Sequence, residues 1–331
     1  MLLSPQQEEL CVKWLFSEAI SYKNKRRSVS NPYHLKWATH TRMHKILFGV
    51  LEEFNIPVTR SWYKWGGFIH SSLLNNQSFT GFRHDYSVNP QRSNNFRKKV
   101  SALGIRVDDI IGYLEKRVDL VKSMPSSEFL LRHYREETPL EYRDLYVAKQ
   151  ILSNSFYDLF NLHNMNKFKS RYEKIVNSIN QFHEHTSDIF EDEIIRESNF
   201  RFTDLIENAL DKISIILLDG KGISKKKLLF FKNAKNVFDN FIWNPYACEI
   251  SQKTLKGIRA EEQKEVMIRQ KEQRIKRIEP EVGALESEFE ERNFTYSFEE
   301  LRKLKELTFK DRETAKVLAD IIQVYNRADG D

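Results

Sequence analysis

The 331-residue sequence has few of the residues that form tight turns and covalent cross-links. Eleven glycines and eight prolines are few for this length, which disfavours an all-β architecture and favours long helices. The two cysteines, Cys11 and Cys248, lie far apart and lack the spacing of a disulfide framework or a zinc finger. We therefore expect a mainly α protein in a reducing, cytoplasmic compartment, with no metal and no cofactor.

Long apolar runs and nucleotide-binding motifs are also missing. The N-terminal stretch MLLSPQQEEL lacks the basic flank and apolar run of a signal peptide, and the longest strongly apolar run, residues 213–218, is too short to span a bilayer. No Walker, GxGxxG or GxSxG motif occurs. We expect no membrane contact, and nucleotide hydrolysis, dinucleotide redox chemistry and serine hydrolysis have no support.

Positive charge is concentrated in the first third of the chain. The net charge is +6 overall, but residues 1–106 carry +10 and the remaining residues carry −4. The same third contains four of the five tryptophans and five of the nine histidines. Because lysine and arginine displace counterions from phosphates, this asymmetry indicates contact with nucleic acid, DNA or RNA, or with another polyanion.

Charge distribution and hydrophobic periodicity together predict three regions. Residues 1–106 form a basic, aromatic-rich, winged-helix-like domain with a short β-ribbon, residues 107–246 a multi-helix bundle, and residues 247–331 a charged helical arm and a C-terminal helix. The first domain should contain helices over 4–22 and 33–54 and a loop-rich segment over 75–106. The buried stripe of the second helix should comprise Met43, Ile46, Leu47, Val50 and Phe54. Pro245 should end the bundle.

Residues 61–69, SWYKWGGFI, alternate aromatic and polar side chains and are broken by Gly66 and Gly67, which permit a bend or a close backbone approach. With the preceding helix KILFGVLEEFNIP and a tryptophan-glycine turn that leads into a further helix, residues 34–74 resemble the Panacea-like antitoxin domain. Gly67 stands where that family has proline. The resemblance implies a helical domain of winged-helix character and a non-enzymatic, neutralising role beside a toxin or a defence system.

Basic side chains interleaved with aromatic ones suit phosphate contact combined with base stacking. The nucleic-acid-binding residues predicted on this ground are Lys25, Arg26, Arg27, Arg42, Lys45, Trp62, Tyr63, Lys64, Trp65, Arg83, Arg92, Arg97, Lys98 and Lys99.

A second binding surface is predicted near the C-terminus, where apolar residues follow a heptad pattern interrupted by Pro280 and Gly283. This pattern favours a bent helical arm that docks a protein partner. The predicted partner-binding residues are Ile268, Ile275, Ile278, Val282, Leu285 and Phe289.

Two other functions stay open. A nuclease could use Arg27 and His34, whose spacing resembles the Arg-x4-6-His pattern of HEPN ribonucleases. It could instead use His40 and His44, which share a helical face at the spacing of two metal ligands, with His84 and Asp85. Alternatively, the basic third could match an acidic protein in a pure assembly subunit. Activity as an enzyme is therefore left undecided, and binding is preferred.

Overall fold

The computed structural model describes residues 3–24, 38–75, 91–160, 168–187, 190, 192–218 and 223–297. This part of the chain is mainly α-helical and contains a single two-stranded antiparallel sheet. The prediction of a mainly α fold with a short β-ribbon is confirmed. None of the helices within these ranges combines the length and the apolar character that a bilayer span needs.

The elements up to residue 160 are, in order, α1 (Pro5–Asn24), α2 (His40–Glu53), β1 (Arg60–Tyr63), β2 (Gly66–Ile69), the short α3 (Ser72–Asn75), α4 (Gln91–Ser101), α5 (Val107–Ser123), α6 (Ser126–Glu137) and α7 (Leu140–Phe160). The later elements are α8 (Phe168–Ser187), α9 (Glu193–Leu218), α10 (Lys225–Val237), a π-helical turn (Phe238–Ile242), α11 (Trp243–Thr254) and α12 (Ala260–Glu291).

The chain divides into two compact units, and neither is continuous in sequence. Unit 1 comprises Met1–Ile151, Asp188–Phe190 and Trp243–Lys276, and unit 2 comprises Leu152–Ser187, Glu191–Ile242 and Arg277–Asp331. The sequence position 106 predicted as a boundary lies inside unit 1, and part of the predicted C-terminal arm belongs to the same unit. Composition along the chain does not reveal which distant segments share a core.

The core of unit 1 forms where α2 packs on β2 and α5, and where α1 packs on α4 and α5. Met43, Ile46, Leu47 and Val50 of the predicted stripe are fully buried, and Phe54 is half-buried. Helical spacing of these apolar side chains thus supplies the face that α2 buries.

The β-ribbon uses both glycines of its turn region for close packing. Gly66 has a φ of +89°, and a Cβ there would come 2.8 Å from the Tyr134 ring. A Cβ at Gly67 would lie 2.5 Å from the Phe48 ring. The predicted bend and close approach at this pair are confirmed, because only glycine fits both positions.

Unit 2 has an aromatic core. The centroid of the Phe238 ring lies 5.1 Å from that of Phe182 and 6.0 Å from those of Phe156 and Phe202. All four side chains are fully buried. Burial of these large aromatic surfaces stabilises the packing of α7, α8, α9 and the π-helical turn in this unit.

Two predicted helix limits at the N-terminal side are wrong. α2 begins at His40 with Thr39 as its N-cap, whose hydroxyl accepts from the Arg42 amide at 3.3 Å, so a helix does not run continuously from residue 33. Residues 91–101 form α4 rather than a loop. Its apolar residues Phe96 and Val100 are too few for a clear period, and packing on α1 provides the stabilisation.

Two prolines do not act as the sequence predicts. Pro245 lies inside α11, and the chain is helical on both sides of it, because α10 continues through the π-helical turn into α11. α12 continues through Pro280 and Gly283 without a break. The side chains of Ile278, Val282 and Leu285, on both sides of Pro280, are buried, and tertiary packing overrides the low helix propensity of the proline.

Candidate functional site

A group of cations of unit 1 lies on α4, which packs on α1. Arg97 of α4 donates through Nη2 and Nε to Oε1 of Glu18 of α1, at 2.9 and 3.1 Å. Glu18 is 4% exposed, so this carboxylate is an interior anchor for the arginine. Lys98 and Lys99 follow directly and are exposed. Neither lysine has an ion-pair partner anywhere in the described ranges.

A second group of cations follows α1 in the sequence. Asn24 ends α1 six residues after Glu18, about 9 Å along a helix, and the chain continues into Lys25, Arg26 and Arg27. The end of α1 is also fixed to α5, because the Tyr22 hydroxyl donates to Asp119 at 2.8 Å. We name Lys25, Arg26, Arg27, Arg97, Lys98 and Lys99 the basic locus; the first three, like Arg83, lie outside the described residues, and of Arg92 only the backbone in α4 is described.

Charge on the exposed described surface of unit 1, Lys98 and Lys99 included, is nearly balanced. The unit contains 31 Lys and Arg against 21 Asp and Glu, a net charge of +10. Among its exposed described side chains, however, 12 are Lys or Arg and 11 are Asp or Glu. A polyanion would therefore be attracted by a local concentration of cations and not by the whole surface of the unit.

Lys45 and Trp62 are interior residues, which corrects the expectation that they contact phosphates and bases at the surface. Lys45 is 2% exposed, and its ammonium donates to the carbonyl of Gly67 at 2.9 Å. Burial lowers the pKa of Lys45 to about 7; the charge of Glu137 acts against this and Lys149 adds to it. Trp62 is 4% exposed and stacks on His133, with ring centroids 5.0 Å apart.

Other residues near the ribbon that were predicted to contact nucleic acid interact with groups of unit 1 itself. Arg42 donates to the Met124 carbonyl and the Ser126 hydroxyl at 2.9 and 3.1 Å. The ammonium of the buried Lys149 covers the Trp65 ring at 3.7 Å from its centroid. Tyr63 and Lys64, the two remaining residues, are half-buried. The aromatic residues of the ribbon thus act mainly in packing.

A polar network lies beneath the ribbon. Arg117 donates through Nη2 to the Lys45 carbonyl at 2.9 Å and to both Glu137 oxygens, and Glu137 lies 3.3 Å from Nδ1 of the buried His133. Burial lowers the pKa of His133 to about 4, although the hydrogen bond to Glu137 opposes the change. Burial also raises the pKa of the Glu137 carboxyl, but His133 and Arg117 outweigh it and hold that pKa well below its usual range.

The histidines proposed for a nuclease do not converge in the described residues. His40 is exposed at the first residue of α2, whereas His44 is buried and accepts from the Ile69 amide at 3.1 Å through Nδ1. Burial and then the charge of Lys45 lower the pKa of His44 well below its ordinary value. Arg27, His34, His84 and Asp85 lie outside the described ranges. Within them, no three His, Cys, Asp or Glu residues are grouped so as to hold a metal ion.

The predicted partner-binding seam of α12 is largely buried within the chain. Ile278, Val282 and Leu285 are at most 2% exposed, and Phe289 packs on Phe294 at a centroid distance of 5.4 Å. Ile275 is half-buried, and Ile268 is 40% exposed. Of the six residues, Ile268 offers the most surface to another molecule.

A cleft of about 680 Å³ opens on unit 1. α2 contributes Phe48, Gly49, Glu52 and Glu53, β1 contributes Trp62, and α5 contributes Tyr113 and Arg117. Glu137, Pro139 and Glu141 line it at the junction of α6 and α7, and Lys253, Thr254 and Lys256 line it at and just beyond the end of α11. Its volume lies within the range of small-molecule sites, roughly 300 to 1,000 Å³.

A family model described as a domain of unknown function (DUF8098) matches residues 11–296. The chain belongs to this family. The match covers the ends of α1 and α4, the ribbon and every residue that lines the cleft. A search of the curated proteins and a search of the solved structures each gave no match.

The sequence did not lead us to predict two acidic residues, Glu18 beside the basic locus and Glu137 in the polar network beneath the ribbon. Glu18 lies between Phe16 and Ile20 on a strongly apolar stretch of α1, and a carboxylate in such a position usually has a buried partner. His133 and Glu137 are four residues apart and therefore share a helical face. Both signals are present in the sequence, but neither identifies Arg97 or Arg117 as the partner.

Proposed function

We propose that this protein is a non-enzymatic nucleic-acid-binding subunit that contacts phosphates through the basic locus. The observation that carries the proposal is the ion pair of Arg97 with the buried Glu18, because it anchors α4 on α1 next to the exposed Lys98 and Lys99. Lys25, Arg26 and Arg27 follow α1 in the sequence. Glu18 neutralises Arg97, which leaves Lys98 and Lys99 for phosphates, and we propose Lys25, Arg26 and Arg27 as further contacts.

Binding through such a group is electrostatic and depends weakly on sequence. Each phosphate that a lysine or arginine neutralises releases a condensed counterion, so affinity falls steeply with salt. The interior positions of Lys45 and Trp62 favour backbone contact over base stacking by the ribbon. Because the ribbon is not proposed to contact bases, the proposal applies to DNA and RNA alike.

The setting we propose is a prokaryotic defence or toxin-antitoxin system in the cytoplasm, with a protein partner that binds the C-terminal helical region. The resemblance of residues 34–74 to the Panacea-like antitoxin domain supports the setting. The free, buried Cys11 and Cys248 favour a reducing compartment. Ile268, exposed on α12, supports the partner site.

The test is a titration of fluorescent duplex DNA, single-stranded DNA and RNA with the full chain at two salt concentrations, followed by a denaturing gel of the same mixtures. We expect binding that weakens at least tenfold between about 50 and 200 mM salt, with the nucleic acid intact. Salt-insensitive or absent binding would refute the proposal and favour an assembly subunit. Cleavage products would instead favour the nuclease.

A further inference from the structure

One side of α4 is fixed to the rest of unit 1 by packing and by an ion pair. α4 packs on α1 and α5, and Val100 is fully buried. Arg97 donates to the buried carboxylate of Glu18 at 2.9 and 3.1 Å. Arg97 and Val100 are three residues apart and therefore lie on the same side of the helix. These contacts set the orientation of the opposite side.

The opposite side of α4 presents amide and ammonium groups to solvent. Asn94, Asn95, Lys98 and Lys99 are exposed, and none of the four side chains has a hydrogen-bond or ion-pair partner in the ranges that the structure describes. Because residues four apart are neighbours on a helix surface, they form two rows, Asn94 with Lys98 and Asn95 with Lys99. In each row the asparagine lies one turn closer to the N-terminus of the helix.

Carboxylates are missing from this part of the sequence. Residues 86–107, which include α4 and the turn after it, contain no aspartate or glutamate. Every other described helix of unit 1 except the four-residue α3 contains at least one. On α5, for example, the exposed Asp108 and Asp109 accompany the exposed Lys122. The free side of α4 is therefore suited to a polyanion, because no neighbouring carboxylate in the sequence repels phosphates.

The two asparagines add a chemistry that lysine alone does not supply. An asparagine amide both donates and accepts, so it can form paired hydrogen bonds with N6 and N7 of adenine. These atoms lie in the major groove of B-form DNA, which is about 12 Å wide and admits an α-helix. In double-stranded RNA the major groove is too deep and narrow for side chains to read. α4, with 11 residues and a length of about 16 Å, is long enough to follow the groove across several base pairs.

We propose that α4 enters the major groove of duplex DNA, where Asn94 and Asn95 contact the edges of bases, above all adenine, and Lys98 and Lys99 contact phosphates beside the groove. This inference rests on the proposed function and deepens it. The basic locus alone binds DNA and RNA alike, whereas α4 gives a preference for duplex DNA of particular sequence. Phosphate contacts fix the register of a protein on the duplex, and base contacts then specify the site.

The experiment selects binding sites for the full chain from duplex DNA with a randomised centre, and then titrates the selected duplex and a shuffled duplex of equal composition. The test variant is Asn94→Ala/Asn95→Ala, and the matched control is Asn177→Ala/Asn180→Ala, which removes two exposed asparagines of α8. We expect the control to keep the preference of the unaltered chain for the selected duplex. The test variant should lose at least about fivefold of this preference, the lower limit for one bidentate contact.

Affinity for the shuffled duplex should be the same in both variants, which also shows that both are folded. A library without an enriched motif, or a test variant with an unchanged preference, would overturn the inference and leave the proposed function intact. Tighter binding of RNA than of duplex DNA at equal salt would do the same. Absent binding of every nucleic acid at low salt would instead refute the proposed function, and this inference with it.

Discussion

Lys45 is a buried ammonium whose protonation depends on the folded environment. Burial lowers its pKa from 10.5 to about 7, so between these values the unfolded chain holds one more proton than the folded chain. The contribution of Lys45 to the free energy of unfolding therefore rises with pH over this window, by up to about 1.4 kcal/mol per pH unit. We expect Lys45→Met to remove this rise, as measured by urea unfolding at pH 7, 8 and 9.

Lys99→Met is the control for this prediction, because Lys99 is exposed on α4 and its removal should leave the pH dependence of the unaltered chain. The comparison uses the difference between variants at each pH, since buried cysteines and tyrosines titrate in the same region with the opposite sign. For example, burial raises the pKa of Cys248 to about 11. A Lys45→Met protein with the slope of the unaltered chain would show that this lysine is charged and solvated in the folded state.

At the scale of the element, Gly49 lets the Arg117 side chain lie against the backbone of α2. A Cβ at residue 49 would overlap the guanidinium, which is held by the Lys45 carbonyl and by Glu137. We expect Gly49→Ala to lower the free energy of unfolding by about 1 to 3 kcal/mol, because the arginine must leave its position. Urea unfolding of the single variant measures this change.

Gly112→Ala in α5 is the matched helix control. A Cβ at residue 112 would meet no atom within 4 Å, and alanine loses less backbone entropy on folding than glycine. The control should therefore be more stable than the unaltered chain by about 0.5 to 1 kcal/mol. If Gly49→Ala were stabilising to a similar extent, the close approach of Arg117 to α2 would be incorrect.

Sequence reasoning recovers those elements whose formation depends on local signals. The stripe of α2 and the glycine pair of the ribbon follow from residue spacing and from backbone freedom. α4 does not, because its stabilisation comes from α1, and α12 passes through Pro280 because buried side chains on both sides support the helix. The same limit applies to the candidate sites: residue types identify Lys45 and Trp62 as binding groups, whereas burial makes them interior residues.

At the scale of the whole molecule, several neutral histidines make the fold sensitive to acid. Burial lowers the pKa of His70 and of His133 from 6.5 to about 4. Between these values the unfolded chain binds more protons than the folded chain, so the free energy of unfolding falls as the pH falls, by up to about 1.4 kcal/mol per pH unit for each histidine. We expect lower urea midpoints at pH 5 than at pH 7.

His133→Gln tests the origin of this acid sensitivity. The substitution removes one of the titrating groups, so the decrease between pH 7 and pH 5 should be smaller by about the contribution of one histidine. The readout is the change of the free energy of unfolding with pH. Any loss of packing against Trp62 lowers this free energy equally at all pH values and so leaves the slope unchanged. An unchanged slope would assign the acid sensitivity to other groups.

We propose that the exposed cations of α4, together with those that follow α1 in the sequence, bind nucleic acid. The most direct test compares the salt dependence of duplex DNA affinity for Lys98→Gln/Lys99→Gln and for Lys225→Gln/Lys226→Gln, which removes two adjacent exposed lysines of α10. We expect the slope of log affinity against log salt to become shallower by about 1.8 in the first variant, or about 0.9 for each lost phosphate contact, and to stay the same in the second. Equal slopes in both variants would contradict it.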